Sequence, residues 1–482
     1  MLLSDFYQGF PVYLLSEIAA ARYGKSQCYP RGTLTKCLNM IRQTLRTDVV
    51  VCGGGCAGLG AAITAARAGL QVLLLERAPF AGGIVSAVGL HYFDGVADAR
   101  TNQLVLKGLP LELLAKLGVC GEAPKTLDDV DPRHAHYGHG AITIPNLEHF
   151  KVVVDRLLRD LSSNLTVLYH SIVCGVEMSG SRIAKVIVAN KDGLTAVECQ
   201  TVIDATGDAD VAVYAGEEVE KTSPLMPMTL HFRIAEVERS PELKHRVKEV
   251  TLKAYEAGAL PCFYGPNFDF SFGPREINLH AVRVPGDASD ATSLSEAEQQ
   301  GREDAWIMFE WWKREIPEFK NAYFLCSGPY IGVRETRRLV GRDILHEDAI
   351  LSNQFRDDGV VTGAWYMDVH PNRVTIGSAN EKASYWPGPY DIPYGSFLPR
   401  TVENLAVVGR CHSATKAAAS SSRVTATCMA MGQAMGVAAS LARKKSRLLS
   451  ELDGREVRAA LAEQGLGPFR PEPADSCASG RR

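Results

Sequence analysis

The stretch TDVVVCGGGCAGLGAAITAARAGLQVLLLERAPFAGG, residues 47–83, decides the fold class of this chain. Four apolar residues, 49–52, run into a glycine-rich turn at residues 53–58. An alanine-rich segment follows, and a second apolar run, residues 72–75, ends at Glu76. Strand, glycine turn, helix and strand within about thirty residues form the context that a G-x-G-x-x-G pattern requires. The stretch therefore predicts a Rossmann-like βαβ unit.

The residue types in this turn suit a bound pyrophosphate. Gly53 permits the tight turn out of the strand, and Gly55 lets the backbone approach phosphate oxygens at the positive end of the following helix. Gly58 allows that helix to pack close to the sheet. Glu76 lies 23 residues after Gly53, where a carboxylate accepts hydrogen bonds from a ribose diol. A βαβ unit without a ligand is the alternative, but the acidic residue favours an adenine dinucleotide.

Composition restricts the class of protein. The chain has 482 residues, enough for two or three domains, and its 46% hydrophobic and 22% charged residues are typical of a globular protein. The formal net charge of −3 provides no basic field for nucleic acid or an anionic membrane. No apolar run is long enough to span a bilayer, and the N-terminus lacks the pattern of a secretory signal. We expect a cytoplasmic protein without a nucleic-acid or membrane partner.

The cysteines give no metal or redox pattern. Twelve are scattered along the chain without C-x-x-C pairs, and no spacing of Cys and His resembles a zinc or iron–sulfur site. Unpaired cysteines of this kind fit a reducing cytoplasm. We therefore expect no metal.

Changes in composition divide the chain. The segment before the βαβ unit is either a helical arm, for example at a subunit contact of a homo-oligomer, or an extension preceding a natural start at Met40. The central part is rich in aromatic residues and prolines, which indicates an inserted second domain. The predicted parts are an N-terminal extension (1–46), a discontinuous nucleotide-binding domain (47–220 and 396–446), a substrate or cap domain (221–395), and a C-terminal helix with a disordered tail (447–482).

Further glycine segments identify the dinucleotide. Residues 81–83, AGG, follow Glu76 closely, and residues 202–208 and 405–410 are strands that run into glycine turns. FAD is long and largely buried, so several segments must return to it, whereas an NAD domain usually carries one fingerprint. We predict FAD as the cofactor. The candidate contacts are Gly53, Gly55, Cys56, Ala57, Gly58, Glu76, Arg77, Gly82, Gly83, Ala205, Thr206, Gly207, Asp208, Gly409, Arg410 and Val424.

Taken in order, several segments resemble the FAD-dependent oxidoreductase family, which is related to flavoproteins of the fumarate-reductase and succinate-dehydrogenase type. The matching segments include LLLERAPFAGG, VIDATGDADVA, GVRETRRLVGRDIL, PYDIPYGSFLP, NLAVVGRCHSAT and RVTATCMAMGQAMG. The resemblance covers about residues 47–464. It implies an α/β fold, with a Rossmann-like FAD-binding domain of the glutathione-reductase-2 type interrupted by an α+β substrate or cap domain. It says little about the substrate, because such families place different chemistry on one cofactor scaffold.

Candidate catalytic residues are those that stabilise an anionic reduced flavin or exchange a proton with substrate. Arg423 precedes the late helix, and a phosphate or carboxylate clamp is its alternative role. Arg334 lies in the charged run GVRETRRLVG, in which one arginine is expected to point inward. His412 and His370 have the pKa range of a general base, with a structural role as the alternative for each. Tyr394 lies on the segment that returns to the FAD domain.

The sequence thus predicts an FAD-dependent oxidoreductase that passes a hydride between a small organic substrate and the flavin, with the electron acceptor left open. An RNA-modifying flavoprotein is one alternative, which the slight acidity and the lack of a basic C-terminal helical domain disfavour. An electron-transfer subunit of a larger complex is another, which the missing iron–sulfur cysteine spacing disfavours.

Overall fold

The structure is a computed structural model, and it describes residues 41–371 and 386–471. Most of the predicted N-terminal extension and the end of the predicted tail lie outside these residues. The described residues from Gln43 onward belong to one compact unit.

Strands and helices alternate through the first half of the described chain. The strands are β1 (Ile41–Cys52), β2 (Val72–Leu75), β3 (Tyr92–Phe93), β4 (Ala135–His136), β5 (Ala141–Thr143), β6 (Leu165–Leu168), β7 (Ile172–Ser179), β8 (Arg182–Asn190), β9 (Gly193–Asp204), β10 (Val219–Glu220), β11 (Phe232–Ala235), β12 (Phe268–Gly273), β13 (Glu276–Leu279), β14 (Tyr323–Ser327), β15 (Arg338–Leu339), β16 (Gly359–Gly363), β17 (Tyr390–Pro393) and β18 (Leu405–Val407). The α-helices are α1 (Cys56–Arg67), α2 (Leu109–Lys116), α3 (Leu147–Arg159), α4 (Asp210–Tyr214), α5 (Leu243–Glu256), α6 (Ala291–Glu315), α7 (Glu347–Leu351), α8 (Lys416–Ser422), α9 (Thr425–Lys445) and α10 (Gly454–Glu463).

A seven-stranded sheet carries the glycine turns. Its order is β6-β2-β1-β9-β8-β7, and β18 also pairs with β9. Strands β1, β2 and β6 are parallel neighbours, β18 runs parallel to β9, and β7, β8 and β9 form an antiparallel meander. Residues 49–52 of β1 are buried, as expected for a parallel strand covered on both faces. This topology confirms the predicted α/β class with a Rossmann-like sheet.

The carboxyl ends of β1 and β9 lie side by side. The backbone N–H of Ala205, just after β9, donates to the carbonyl of Cys52 at 2.9 Å. Both strands lead directly into glycine turns, at Gly53 and Gly207. In open α/β sheets ligands bind at this edge, outside the carboxyl ends of the strands.

Helices α1 and α9 pack with their backbones in contact. A Cβ atom added at Gly60 would collide with the carbonyl of Met429, and one added at Gly432 would collide with the carbonyl of Ala57. The small residues that the sequence repeats in both helices therefore set the distance between them. This packing lies behind the glycine turn of β1.

A second hydrophobic core lies under an antiparallel sheet of order β12-β13-β11-β14, against α5 and α6. Its buried residues fall between Met228 and Ile331. In contrast, Leu345, Tyr390 and Phe397 belong to the first core, together with the nucleotide-binding elements. The predicted second domain, 221–395, remains a prediction, but the C-terminal part of that range packs with the first core.

No single helix among residues 41–371 and 386–471 is both long and apolar enough to cross a membrane. Helices α8 and α9 meet the length and composition test only as a pair, which is bent by 91°.

Candidate functional site

A cavity of about 270 Å³ opens at the carboxyl ends of β1 and β9. The glycine turns after both strands line it, together with the segment after β2, the end of β18 and the start of α9. Most of the segments predicted to return to a dinucleotide therefore converge on one cavity. The predicted cofactor residues in its wall are Gly53, Gly55, Cys56, Ala57, Glu76, Arg77, Gly83, Ala205, Thr206, Gly207, Gly409 and Arg410.

Four predicted cofactor residues lie outside this wall: Gly58, Gly82, Asp208 and Val424. A Cβ atom at Gly58 would collide with the carbonyl of Gly53, so this glycine serves the close packing of the turn. The carboxylate of Asp208 accepts a hydrogen bond from Nη2 of Arg410 at 2.8 Å. Asp208 therefore positions a residue of the wall and does not itself form the wall.

Two glycines of the turn have different roles: Gly53 is required by the backbone conformation, and Gly55 leaves space for a ligand. Gly53 has φ +105°, and a Cβ there would collide with the carbonyl of Ala205, so the fold itself requires glycine. Gly55 has φ −70°, and a Cβ there would meet nothing nearer than the Cα of Gly83, at 3.8 Å. The protein alone would tolerate a side chain at Gly55, whereas a pyrophosphate at the N-terminus of α1 would not.

Glu76 is fixed at the wall by two backbone donors. Its Oε2 accepts from the N–H of Gly54 at 2.6 Å, and its Oε1 accepts from the N–H of Ala78 at 2.7 Å. The residue is 8% exposed. A carboxylate has about four acceptor positions, so two remain for the hydroxyl groups of a ribose.

Two arginines bring guanidinium donors to the wall. Nη1 of Arg410 and Nε of Arg423 are buried and have no hydrogen-bond partner among the described residues. Nη2 of Arg423 donates to the carbonyl of Asp368 at 3.2 Å and lies 3.6 Å from its Oδ2. Unpaired donors of this kind fit a cofactor with phosphates and an electron-rich ring system. Together with the open space at Gly55, they agree with FAD.

Asp368 connects Arg423 to the predicted residue His370. Nε2 of His370 lies 2.9 Å from Oδ2 of Asp368. Burial and the positive charge of Arg334 lower the pKa of His370 to about 3. Burial opposes ionisation of Asp368, but the hydrogen bond with His370 and the nearby arginines lower its pKa below the usual range. The pair is therefore a carboxylate with a neutral imidazole.

Arg334 points into the same region, as the sequence predicted for one arginine of its run. Its Nη1 donates to the carbonyl of Pro227 at 2.7 Å and to the hydroxyl of Thr229. Burial and the charges of Arg283 and Arg423 lower the pKa of Arg334. Three arginines from distant parts of the sequence are thus neighbours.

The structure does not bring His412 and Tyr394 to the cavity. His412 is fully buried, and its Nε2 lies 2.8 Å from the hydroxyl of Ser422. The hydroxyl of Tyr394 donates to the carbonyl of Leu449 at 2.9 Å. Neither residue lines the wall. Their predicted catalytic roles have no geometric support, and both side chains contribute to the packing of the first core.

The sequence interpretation missed Arg283, Asp94 and Tyr330. Tyr330 lines the cavity, and the backbone N–H of Asp94 donates at 2.8 Å to the hydroxyl of Thr425, which also lines it. Burial and the charge of Asp368 raise the pKa of Asp94 to about 7. No local pattern marks these residues, because the contact of Asp94 with Thr425 joins positions 331 residues apart.

Comparison with known proteins shows the family of the chain. A family model described as FAD dependent oxidoreductase matches residues 48–461. Digeranylgeranylglycerophospholipid reductase 2 of Methanothermobacter thermautotrophicus is 31% identical over 202 residues, which are 41% of this chain and 49% of the reductase. The match thus spans about half the length of that relative.

Similar solved structures include two proteins of low sequence identity. A geranylgeranyl bacteriochlorophyll reductase-like protein of Thermoplasma acidophilum is 14% identical with a TM-score of 0.43, covering 87% of this chain and 84% of that one. The p-nitrophenol 4-monooxygenase of Pseudomonas putida DLL-E4 is 11% identical with a TM-score of 0.44, covering 88% and 87%.

Proposed function

Since the chain belongs to the FAD-dependent oxidoreductase family and is an enzyme with FAD as its cofactor, we propose that it transfers a hydride between a small organic substrate and the flavin. FAD, when bound, supplies the two-electron chemistry. The observation that carries the proposal is the contact of Arg423 with Asp368, because it connects the wall of the cofactor cavity to a buried ionisable cluster.

The chain holds the cofactor through the glycine turn and Glu76. The open space at Gly55 would receive the pyrophosphate at the N-terminus of α1, and the carboxylate of Glu76 would accept hydrogen bonds from the ribose hydroxyls. Arg423 places a positive charge in the wall of the same cavity, between α8 and α9. A fixed cation in a cavity that excludes water stabilises negative charge that develops there during the reaction.

Asp94 is the candidate for proton transfer: it does not itself line the cavity, but its backbone N–H donates to the hydroxyl of Thr425, which does. Its pKa, raised to about 7 by burial and by Asp368, leaves both protonation states populated near neutrality, which a general acid or base requires. His370, with a pKa lowered to about 3, is neutral and suits a positioning role for Asp368. We therefore place proton exchange on Asp94 rather than on the histidines that the sequence favoured.

Substrate binds between the two cores in this proposal. Tyr330, Ile331 and Val333 follow β14 of the second sheet and line the same cavity as Arg423. In this proposal, residues from the second core close one side of the cofactor cavity. A small molecule binds there against the flavin, and the closed wall keeps water away from the flavin.

The test is anaerobic reduction of the FAD-loaded protein by a panel of small alcohols, amines, hydroxy acids and amino acids, followed by readmission of oxygen. At least one compound is expected to bleach the visible flavin bands, and a panel of unsaturated or carbonyl compounds is expected to reoxidise dithionite-reduced protein. An Asp94→Asn variant should keep the flavin and lose the pH dependence of the bleaching rate near neutrality. A flavin that no compound of either panel reduces or reoxidises contradicts hydride transfer to a small substrate.

A further inference from the structure

Arg283 and Arg334 share one neutral hydrogen-bond acceptor. Nη1 of Arg283 donates to Oγ1 of Thr229 at 2.8 Å, and Nη1 of Arg334 donates to the same oxygen. Two guanidinium groups are therefore held close together by a hydroxyl, which carries no charge. Like charges so close in a buried setting raise the free energy of the folded protein unless an anion compensates them.

The internal partners of these two arginines supply little compensation. Within the described part of the chain, neither Arg283 nor Arg334 forms an ion pair with a carboxylate. Both donate to backbone carbonyls and to Thr229, and Arg283 also has a hydrogen bond with Tyr264. The guanidinium of Arg283 lies 3.8 Å from the centre of the Tyr264 ring, which adds a cation–π contact. Its Nε is buried and has no hydrogen-bond partner in the described residues.

Arg338 shows what a satisfied buried arginine looks like in the same protein. It is 2% exposed, and its Nη1 donates to the carboxylate of Glu335 at 2.7 Å. Its Nε and Nη2 donate to the carbonyl of Ala414 and the hydroxyl of Thr222. Arg283 is as deeply buried, at 3% exposed, without any carboxylate in contact. The difference identifies Arg283 and Arg334 as cations kept available for an external anion.

The charge around these arginines sums to between one and two positive units. Three cations, Arg283, Arg334 and Arg423, face two carboxyl groups. Asp368 is ionised, whereas Asp94, with a pKa raised to about 7, is ionised only in part near neutral pH. The neighbouring histidines add no charge, because burial lowers the pKa of each. They are His231, His280 and His370.

We propose that Arg283 and Arg334 bind a carboxylate group of the substrate, since Arg334 directly follows Val333 of the cavity wall. This inference rests on the proposed function, because it names the substrate class of the same site. The planar guanidinium group matches a carboxylate through paired N–H donors. A carboxylate brings one negative charge to a cluster that carries at least one positive unit. A phosphate group brings about −1.5 to −2 at neutral pH and would face Asp368 and the ionised form of Asp94.

The experiment uses the full chain saturated with FAD. It is titrated with acetate, propionate and benzoate, with the matched neutral amides, and with inorganic phosphate. Binding is followed by isothermal titration calorimetry and by the change in flavin absorbance. The variants are Arg283→Gln, Arg334→Gln and Thr229→Val. Arg302→Gln is the matched control, because Arg302 is exposed on α6 and pairs with Glu298.

At least one carboxylate is expected to bind the wild-type protein, with its amide binding far more weakly. The two arginine variants should raise the dissociation constant of that carboxylate about ten- to a hundredfold, the range typical of lost hydrogen bonds to a charged group. The affinity for FAD should stay as in the wild type, and Arg302→Gln should change neither constant.

Four results would overturn the inference: equal binding of carboxylates and amides, tighter binding of phosphate than of every carboxylate, carboxylate binding that Arg283→Gln and Arg334→Gln leave unchanged, or loss of FAD from these variants. If the glutamine variants fail to fold, carboxylate binding by Arg334→Lys is compared with binding by the wild type, since lysine keeps the charge but loses the paired donors. Weaker binding by Arg334→Lys supports the inference, and equal binding contradicts it. Carboxylate binding without any bleaching of the flavin would retain this site and contradict the proposed hydride transfer. Bleaching of the flavin by neutral compounds alone would support hydride transfer and contradict the carboxylate site.

Discussion

The backbone N–H of Gly54 donates to Oε2 of Glu76 across 2.6 Å, so the glycine turn after β1 and the acidic end of β2 form one rigid unit. A second bond, from the N–H of Ala78 to Oε1, fixes the carboxylate in place. The residue that would accept the ribose hydroxyls is thereby oriented before any ligand arrives, which lowers the entropic cost of binding.

Replacing Glu76 with alanine should weaken FAD binding by about 1.5–3 kcal/mol, the range for hydrogen bonds to a charged group. It should also lower the melting temperature of the protein without FAD, because two buried N–H donors lose their acceptor. Fluorescence titration with FAD and thermal unfolding measure the two effects. Glu198→Ala is the control, since Glu198 forms an exposed pair with Arg46. Unchanged FAD affinity in Glu76→Ala would show that the ribose is held elsewhere.

Replacing Gly55 with valine should abolish FAD retention while the chain still folds. The space beside Gly55 is free in the protein alone, and the new side chain would fill the position of the pyrophosphate. Gly53→Val should behave differently and fail to fold, because its φ of +105° and the carbonyl of Ala205 exclude a side chain. The flavin absorbance of the purified protein and its far-UV circular dichroism separate the two outcomes. A Gly55→Val protein that stays fully yellow would contradict this assignment of the turn.

Replacing Arg423 with alanine should lower the reduction potential of the bound flavin. A cation beside the ring favours the anionic reduced form, and Arg423 lines the cavity with an unpaired Nε. Potentiometric titration with a reference dye measures the shift. Arg246→Ala serves as the control, because Arg246 lies in the second core region, paired with Glu318. A potential equal to that of the wild type would place the flavin ring away from Arg423.

Replacing Tyr394 with phenylalanine should reduce stability and leave turnover unchanged. The hydroxyl donates to the carbonyl of Leu449 in the interior, and losing such a bond costs about 1–3 kcal/mol. Urea unfolding and steady-state kinetics are the two measurements. A large fall in kcat with unchanged stability would restore the catalytic role that the sequence predicted for Tyr394.

His412 should make the protein less stable in mild acid. Burial lowers its pKa to about 3, whereas the unfolded chain titrates near 6.5, so between these values the unfolded state binds a proton that the native state does not. The stability from this site is complete above about pH 6.5 and is lost as the pH falls, by up to about 1.4 kcal/mol per pH unit.

The His412→Gln variant carries no such proton, so its stability deficit relative to the wild type should shrink between pH 7 and pH 5. Denaturant unfolding at several pH values measures it, with exposed His245→Gln as the control. Parallel pH profiles of the wild type and His412→Gln would contradict the neutral state of this histidine.

The elements that the sequence predicted well depend on short-range patterns. The strand before the glycine turn, the turn itself and Glu76 lie within 30 residues, and their burial and spacing leave little choice of structure. The sequence also predicts a helix around residues 296–313, and the structure has α6, Ala291–Glu315. The leucines of residues 101–120 form an apolar face that predicts a helix over that range. The observed helix α2, Leu109–Lys116, is shorter because Gly108 and Gly118, which bound it on each side, both have positive φ.

What the sequence by itself determined is therefore the Rossmann-like unit and its adenine dinucleotide, since each glycine and the acidic residue act within one βαβ segment. Only the tertiary structure decided which polar residues come together with Arg423 of the cavity wall. Thr229, Arg283, Arg334 and Arg423 lie on separate segments with no common period, and the packing of the second core against the first brings them together. Charges so distant in sequence become neighbours through long-range packing, which no local pattern of residues records.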